Sequence, residues 1–134
     1  MPAQKLIIMQ NMKPRPYSLC VIDDIPEDEA RSFVINHNEI AIQLFIVKKA
    51  NNVYAYENRC PHVGTSLDWQ PNQFLDSSNS WIQCSTHGAL FRIEDGFCIQ
   101  GPCVNQYLTG IKVEIKNKKI IVFYPNTFKN SSKT

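Results

Sequence analysis

Cys60 and His62 stand in one short turn, CPHVG, and Cys84 and His87 stand in another, CSTHG. The pattern is C-x-H, then 21 intervening residues, then C-x-x-H. Thiolate and neutral imidazole are the side chains that bind borderline and soft metals. Each turn offers one of each, so folding need bring only two loops together to assemble a four-donor site. Gly64 and Gly88 follow the histidines closely, and a residue without Cβ lets a loop wrap tightly around an inorganic centre. Either turn alone is a weak signal. The two together, at this spacing, are a strong one.

The surrounding chain reads as β structure. YSLCVI from Tyr17 is a short apolar run, closed by DDIPEDE, an acidic turn with room for one helical turn. RSFVIN is a second strand, and IAIQLFIVK (40–48) is apolar at nearly every position, as in a strand buried on both faces. Asn51-Asn52 turns into the alternating VYAYE of 53–57, which leads to Cys60. WIQC and ALFRI are short strands around the second turn. Asp95-Gly96 and Gly101-Pro102 are turn signals. IKVEIK and KIIVFY form a hairpin across Asn117-Lys118. No long 3.6-residue period occurs, so helix content should be small. The expected architecture is an all-β barrel or sandwich carrying a loop-rich site.

Length and composition bound the rest. The 134 residues suit one domain, 43% are hydrophobic and 19% charged, so the chain can bury a core without staples. Residues 1–16, ending in KPRP, read as loosely held, 17–124 as the domain, and 125–134 as a polar tail. The net charge of +2 comes from scattered basic residues, which argues against nucleic-acid or membrane-surface binding. No apolar run reaches the length of a membrane span, and the N-terminal apolar patch is too short for a signal-peptide core. A cytoplasmic protein is expected, whose five cysteines are thiols, metal ligands or core residues.

The turns CPHVG and CSTHG, with Gly101-Pro102 downstream, resemble the cluster-binding motif of Rieske [2Fe-2S] proteins. The match covers 60–103, and the β pattern from about 17 to 124 is compatible with that fold. The resemblance implies a Rieske fold, an antiparallel β-sandwich or barrel with a cluster-binding subdomain at about 58–104. It implies that Cys60 and Cys84 hold the inner iron, that His62 and His87 hold the outer, surface-facing iron, and that Pro61, Gly64, Gly88, Gly101 and Pro102 shape or shield the loops. Two imidazoles in place of two thiolates leave the cluster about two units less negative, and so easier to reduce than a Cys₄ cluster.

Respiratory members of the family add a disulfide between the loops. Here the matching positions are Thr65 and Thr86. They also place hydroxyl residues after the second histidine, where this chain has Ala89, Leu90 and Phe91. Fewer hydrogen bonds to cluster sulfur imply a potential near the low end of the Rieske range, roughly −150 mV.

The implied activity is that of a soluble Rieske-type ferredoxin, a one-electron carrier and not a catalyst. Its 134 residues leave no room for a nicotinamide, flavin or mononuclear-iron domain, so none is expected, and no GxGxxG fingerprint occurs. Electrons would come from a separate reductase and pass to a separate acceptor, such as the oxygenase of a ring-hydroxylating system. Two rivals remain open. One is a Rieske-like small subunit of a larger, nitrite-reductase-type enzyme. The other is a zinc-stabilised interaction module, since Cys₂His₂ is also a zinc set, although zinc ribbons usually open on paired cysteines.

Other residues read as structural. Cys98 and Cys103 are expected in the core or in loops beside the site, since C-x₄-C is not the usual redox spacing, and Cys20, inside SLCVI, is expected as a buried small hydrophobe. His37, in NHNE, reads as a solvated turn residue. Trp69 and Trp81 read as packing residues flanking an insertion, QPNQFLDSSNS (70–80). KNKK (116–119) reads as a solvated hairpin tip.

Overall fold

The computed structural model describes residues 13–61, 64–85 and 88–125. The expectations for most of the N-terminal segment, for the polar tail beyond Pro125, and for His62, Thr86 and His87 lie outside them. Nine strands follow in chain order: β1 (Arg15–Val21), β2 (Glu29–His37), β3 (Ile40–Lys49), β4 (Asn52–Glu57), β5 (Trp81–Gln83), β6 (Leu90–Arg92), β7 (Cys98–Gln100), β8 (Gly110–Lys116) and β9 (Lys119–Tyr124). Helix among the described residues is limited to a 3-10 turn at Ile22–Asp24, where the first apolar run meets the acidic stretch. None is long and apolar enough to cross a membrane.

Six strands make an antiparallel, nearly closed sheet in the order β1-β9-β8-β4-β3-β2, and β5-β6-β7 make a small second sheet. Three hairpins of the large sheet close through two-residue loops, Asn38-Glu39, Ala50-Asn51 and Asn117-Lys118, with φ positive at both positions. Such turns have the twist that adjacent antiparallel strands need. The second lies one residue earlier than the Asn51-Asn52 turn read from the sequence. Arg15 and Pro16, read from the sequence as the end of a loosely held segment, belong to β1. β1 is an edge strand, where a missing N–H costs no ladder bond.

β3 serves two cores at once. Leu44 and Ile46 point into the barrel, with Ile25, Ile35, Ala55, Ile111, Ile120 and Val122. Phe45 and Val47 point the other way, into a core shared with the small sheet and its loops. All four are fully buried. Two-faced burial thus holds for 44–47 and not for the whole of 40–48. Toward the Asn38-Glu39 turn burial falls away: Ile42 is only partly buried against the barrel core and Ile40 is 62% exposed.

The edges β1 and β2 approach through side chains. The Tyr17 hydroxyl and His37 Nδ1 share a 2.5 Å hydrogen bond, and the Tyr124 ring meets the imidazole edge-on at 5.1 Å. Arg15 donates to Asn38 Oδ1 at 2.8 Å. His37 is therefore buried, at 7% exposure, and not the solvated turn residue expected. Its position at the end of β2 faces the other edge of the sheet, a contact that local sequence does not reveal. Cys20 also departs from expectation. It sits at a bulge in β1 and is only half-buried.

Burial, and secondarily the Arg15 charge, lower the His37 pKa below its ordinary value. The fold thus favours neutral imidazole. Stability from this source is complete above the unfolded-state pKa of about 6.5 and is lost as pH falls through that value toward the folded one. Urea unfolding at pH 7 and pH 5 should show a loss of stability on acidification that is smaller in His37→Gln. Equal losses in the two proteins would remove His37 as the cause.

Candidate functional site

The two cysteine turns share one backbone frame. In the first, the Cys60 N–H donates to Thr65 O at 2.8 Å and the Gly64 N–H donates to Cys60 O at 2.7 Å. In the second, the Cys84 N–H donates to Ala89 O and the Gly88 N–H to Cys84 O, both at 2.9 Å. Both glycines take left-handed φ, +76° and +67°, a conformation that L side chains resist. The donor therefore sits at the same place in each frame, followed five residues on by the carbonyl that closes it. Cys60 and Cys84 are 2% and 1% exposed and belong to one buried cluster. No disulfide involves any of the five cysteines.

Each loop is anchored by what flanks it. The first follows β4, and Asn58 fixes its exit. The Asn58 N–H donates to Gln43 O at 2.9 Å, its Oδ1 accepts the Leu67 N–H at 2.7 Å, and its Nδ2 donates to Asp68 at 3.1 Å. The second loop is the β5-β6 connection. It is tied to the first by the Ser85 N–H, which donates to Leu67 O at 2.9 Å. Leu67 itself is fully buried. The sequence reading missed Asn58 and Leu67. An Asn two residues before Cys60 was the available signal, because its amide can bridge backbone groups on both sides of a turn.

A third loop leans on the second. Gly101 has φ +110°, and a Cβ there would come within 2.8 Å of both Cα and Cβ of Ala89. Only a residue without a side chain allows that approach. Pro102 beside it is exposed and Pro61 is half-buried. Just behind the turn lie Cys98 and Cys103, fully buried, with the Cys103 thiol donating to Cys98 Sγ at 3.3 Å. Burial, followed by the Cys98 and Cys60 sulfurs, pushes the Cys103 thiol up to about 12.

Tyr56 links the barrel to this subdomain. Its hydroxyl donates to Ile93 O at 2.5 Å, and burial raises its pKa far above the usual phenol range. Beside the first loop lies a groove of about 490 Å³ lined by Glu57, Arg59, Cys60, Pro61, Gly64, Tyr107 and Thr109. Burial raises the Glu57 carboxyl, with Arg59 opposing.

The 70–80 insertion docks back on the barrel. The Ser32 N–H and hydroxyl both donate to Asn72 Oδ1, at 2.8 and 3.1 Å, which covers part of the β2 edge. Phe74 stacks on Phe45 with ring centres 4.2 Å apart. Burial would raise the Asp76 carboxyl, but donors on Ser78, Ser80 and Trp81 outweigh it and hold the pKa below its usual value. Trp81 is half-buried in β5, whereas Trp69 is 57% exposed and is not the packing residue expected. The insertion turns outward at that point.

Gly101→Ala should destabilise the protein by about 2 kcal/mol or more, through its strained φ and the overlap with Ala89. Urea unfolding measures this, and an unchanged midpoint would show that the third loop does not need its close approach.

The chemistry of the donors fits an inorganic cluster. Two buried sulfurs in matched frames can serve as thiolate ligands, and His62 and His87 follow them within two and three residues. The sequence matches the Rieske [2Fe-2S] domain over residues 15–123. No curated protein matches it. Among solved structures, the chain is similar to the ferredoxin of carbazole 1,9a-dioxygenase from Nocardioides aromaticivorans IC177, with TM-score 0.62, 20% identity, and coverage of 80% of this chain and 95% of that one. It is similar to a chain in a complex of reduced oxygenase and oxidised ferredoxin in carbazole 1,9a-dioxygenase, with TM-score 0.68, 24% identity, and coverage of 85% and 97%. A chain in the reduced complex of the same system gives TM-score 0.71 at 18% identity over 89% of this chain, which spans only 31% of that longer one. At these identities the structural likeness speaks for the fold, and the family match speaks for the cofactor. The chain belongs to the Rieske [2Fe-2S] domain family, whose cofactor is a Rieske-type [2Fe-2S] cluster.

Proposed function

We propose that this chain is a one-electron carrier and not itself a catalyst, working as a ferredoxin between a separate reductase and a separate acceptor such as an oxygenase. The observation that carries this is the pair of matched loop frames, each burying one cysteine, in a domain of the Rieske family. When bound, the cluster accepts and returns a single electron. Cys60 and Cys84 are the thiolate ligands in this reading, and His62 and His87 are the imidazole ligands. Gly64 and Gly88 let the loops close, while Pro61, Gly101 and Pro102 cover them.

An oxygenase acceptor is supported by the solved complexes of oxygenase and ferredoxin in the carbazole 1,9a-dioxygenase system. Docking of this kind is transient and buries little area. The Rieske domain is taken as 17–124, with its cluster-binding part at about 58–104. A cytoplasmic location suits five cysteines without a disulfide. No observation favours a permanently bound reductase subunit, and the family match leaves the zinc reading without support.

Ala89, Leu90 and Phe91, which follow the second turn, carry no side-chain donor for ligand sulfur. Ala89 and Phe91 are buried apolar residues, and the Gly64 and Gly88 N–H groups are taken by carbonyl oxygens. A reduced cluster with few hydrogen bonds on its sulfur keeps more charge, which lowers its potential. Anaerobic titration should give a midpoint of roughly −150 mV. A strongly positive midpoint would contradict this reading.

Ligand variants test the assignment. Cys60→Ser and Cys84→Ser should lose bound iron and acid-labile sulfide. His87→Cys should keep a cluster but lower its midpoint, by on the order of 100 mV or more, toward all-thiolate values. Unchanged iron content in the serine variants, or an unchanged midpoint in His87→Cys, would refute the ligand set.

A further inference from the structure

Cys98 and Cys103 have no part in the electron transfer proposed above. Their sulfurs nevertheless lie 3.3 Å apart, in hydrogen-bond contact, and the Cys98 thiol also donates to Gln100 O at 3.3 Å. Five residues of sequence separate them. Cys98 opens β7, and Cys103 sits in the turn that follows Gly101-Pro102. The backbone already ties this loop together, since the Asn105 N–H donates to Cys98 O at 3.1 Å and the Gln106 N–H to Cys103 O at 2.9 Å. Bonding the sulfurs at about 2.05 Å asks for a movement of roughly 1 Å, within one short loop.

We propose that Cys98 and Cys103 form a reversible dithiol–disulfide site, a second redox centre beneath the Gly101-Pro102 loop, oxidised by hydroperoxides. Both thiols are fully buried, so at rest they are protected. The cover is thin, however. Gly101, Pro102, Val104, Asn105 and Gln106 around Cys103 are all exposed, and loops of this kind open locally at low free energy. A peroxide needs only such an opening.

Opening removes the burial that keeps the Cys103 thiol protonated; its sulfur, as thiolate, takes one oxygen from the peroxide, the O–O bond breaks, and the leaving oxygen takes up the Cys103 proton and departs as water (or alcohol). The product is a sulfenic acid. Cys98 sulfur, already in contact, attacks it. The S–S bond forms, the S–O bond breaks, and the sulfenic hydroxyl leaves as water with the Cys98 proton. Two electrons have passed from the thiol pair to the peroxide. A thiol reductant restores the pair. The adjacent thiol captures the sulfenic acid before it reaches the irreversible sulfinic state, in a loop that packs against Ala89 of the second cysteine turn.

The test uses the cluster-loaded full chain. It is treated with graded hydrogen peroxide, alkylated, digested with trypsin and weighed. Residues 93–112 contain both cysteines and no internal Lys or Arg, so one peptide reports the pair. The expected product is that peptide without alkyl label and about 2 Da lighter. Dithiothreitol should return both label sites. In Cys98→Ala the sulfenic acid on Cys103 has no partner and should be trapped by dimedone. The visible spectrum, followed in parallel, reports the cluster. Two intact label sites on the peptide at peroxide levels that already bleach the cluster or modify the half-buried Cys20 would overturn the proposal. So would a dimedone adduct on Cys103 in the unsubstituted protein with no disulfide. The readout is a peptide mass, so it fails or succeeds independently of the ligand assignment.

Discussion

Burial of both faces of β3 is the constraint on which the other features depend. Leu44 and Ile46 close the barrel core while Phe45 and Val47 begin the second one. Four consecutive side chains removed from water contribute on the order of 1.5–3 kcal/mol each. Because successive residues alternate between faces, one strand becomes a wall shared by two cores. β4 continues the arrangement, with Ala55 on the barrel side and Tyr56 on the other. The small sheet and the cysteine turns are built on this wall, and Tyr56 fastens them to it through Ile93. A one-residue slip of β3 against its neighbours would exchange the faces and separate the loops from their support.

On that wall the two turns repeat one solution. Each has a buried cysteine, a carbonyl closure five residues later, and a left-handed glycine whose N–H returns to the cysteine carbonyl. The histidine falls at the second position after the cysteine in one turn and at the third in the other. The frames are alike, and the histidine offsets are not. The bridge from Ser85 to Leu67 sets the two loops side by side, and the Gly101 turn closes over the second. The insertion has a different task. It carries Phe74 into the second core and Asn72 to the β2 edge, which leaves fewer unpaired N–H groups on an edge strand.

What could be read from the chain beforehand follows from the range of each interaction. The cysteine turns, the strand runs and the Asn117-Lys118 hairpin are local, and residue type with spacing was enough to find them. The shared wall was visible as an uninterrupted apolar run, but its limits were not. Burial at Phe45 and exposure at Gln43 and Ala41 on the same face depend on where the small sheet stops. His37 was misjudged because its partners, Tyr17 and Tyr124, lie on strands far along the chain. Trp69 was misjudged in the opposite sense, since nothing in its neighbours says that the insertion turns it outward. Cys98 and Cys103 do not have the usual redox spacing, and the turn between them brings the sulfurs together.

The central claim is that two sulfur and two nitrogen donors from these loops hold a binuclear iron–sulfide centre. Electron paramagnetic resonance of the dithionite-reduced protein tests it most directly, with electron–nuclear double resonance to count coupled nitrogens. Imidazole ligation localises the reducing electron on the histidine-bound iron, so a low average g and two strongly coupled nitrogens are expected. An all-thiolate [2Fe-2S] signal without nitrogen coupling, or a colourless protein holding zinc, would contradict it.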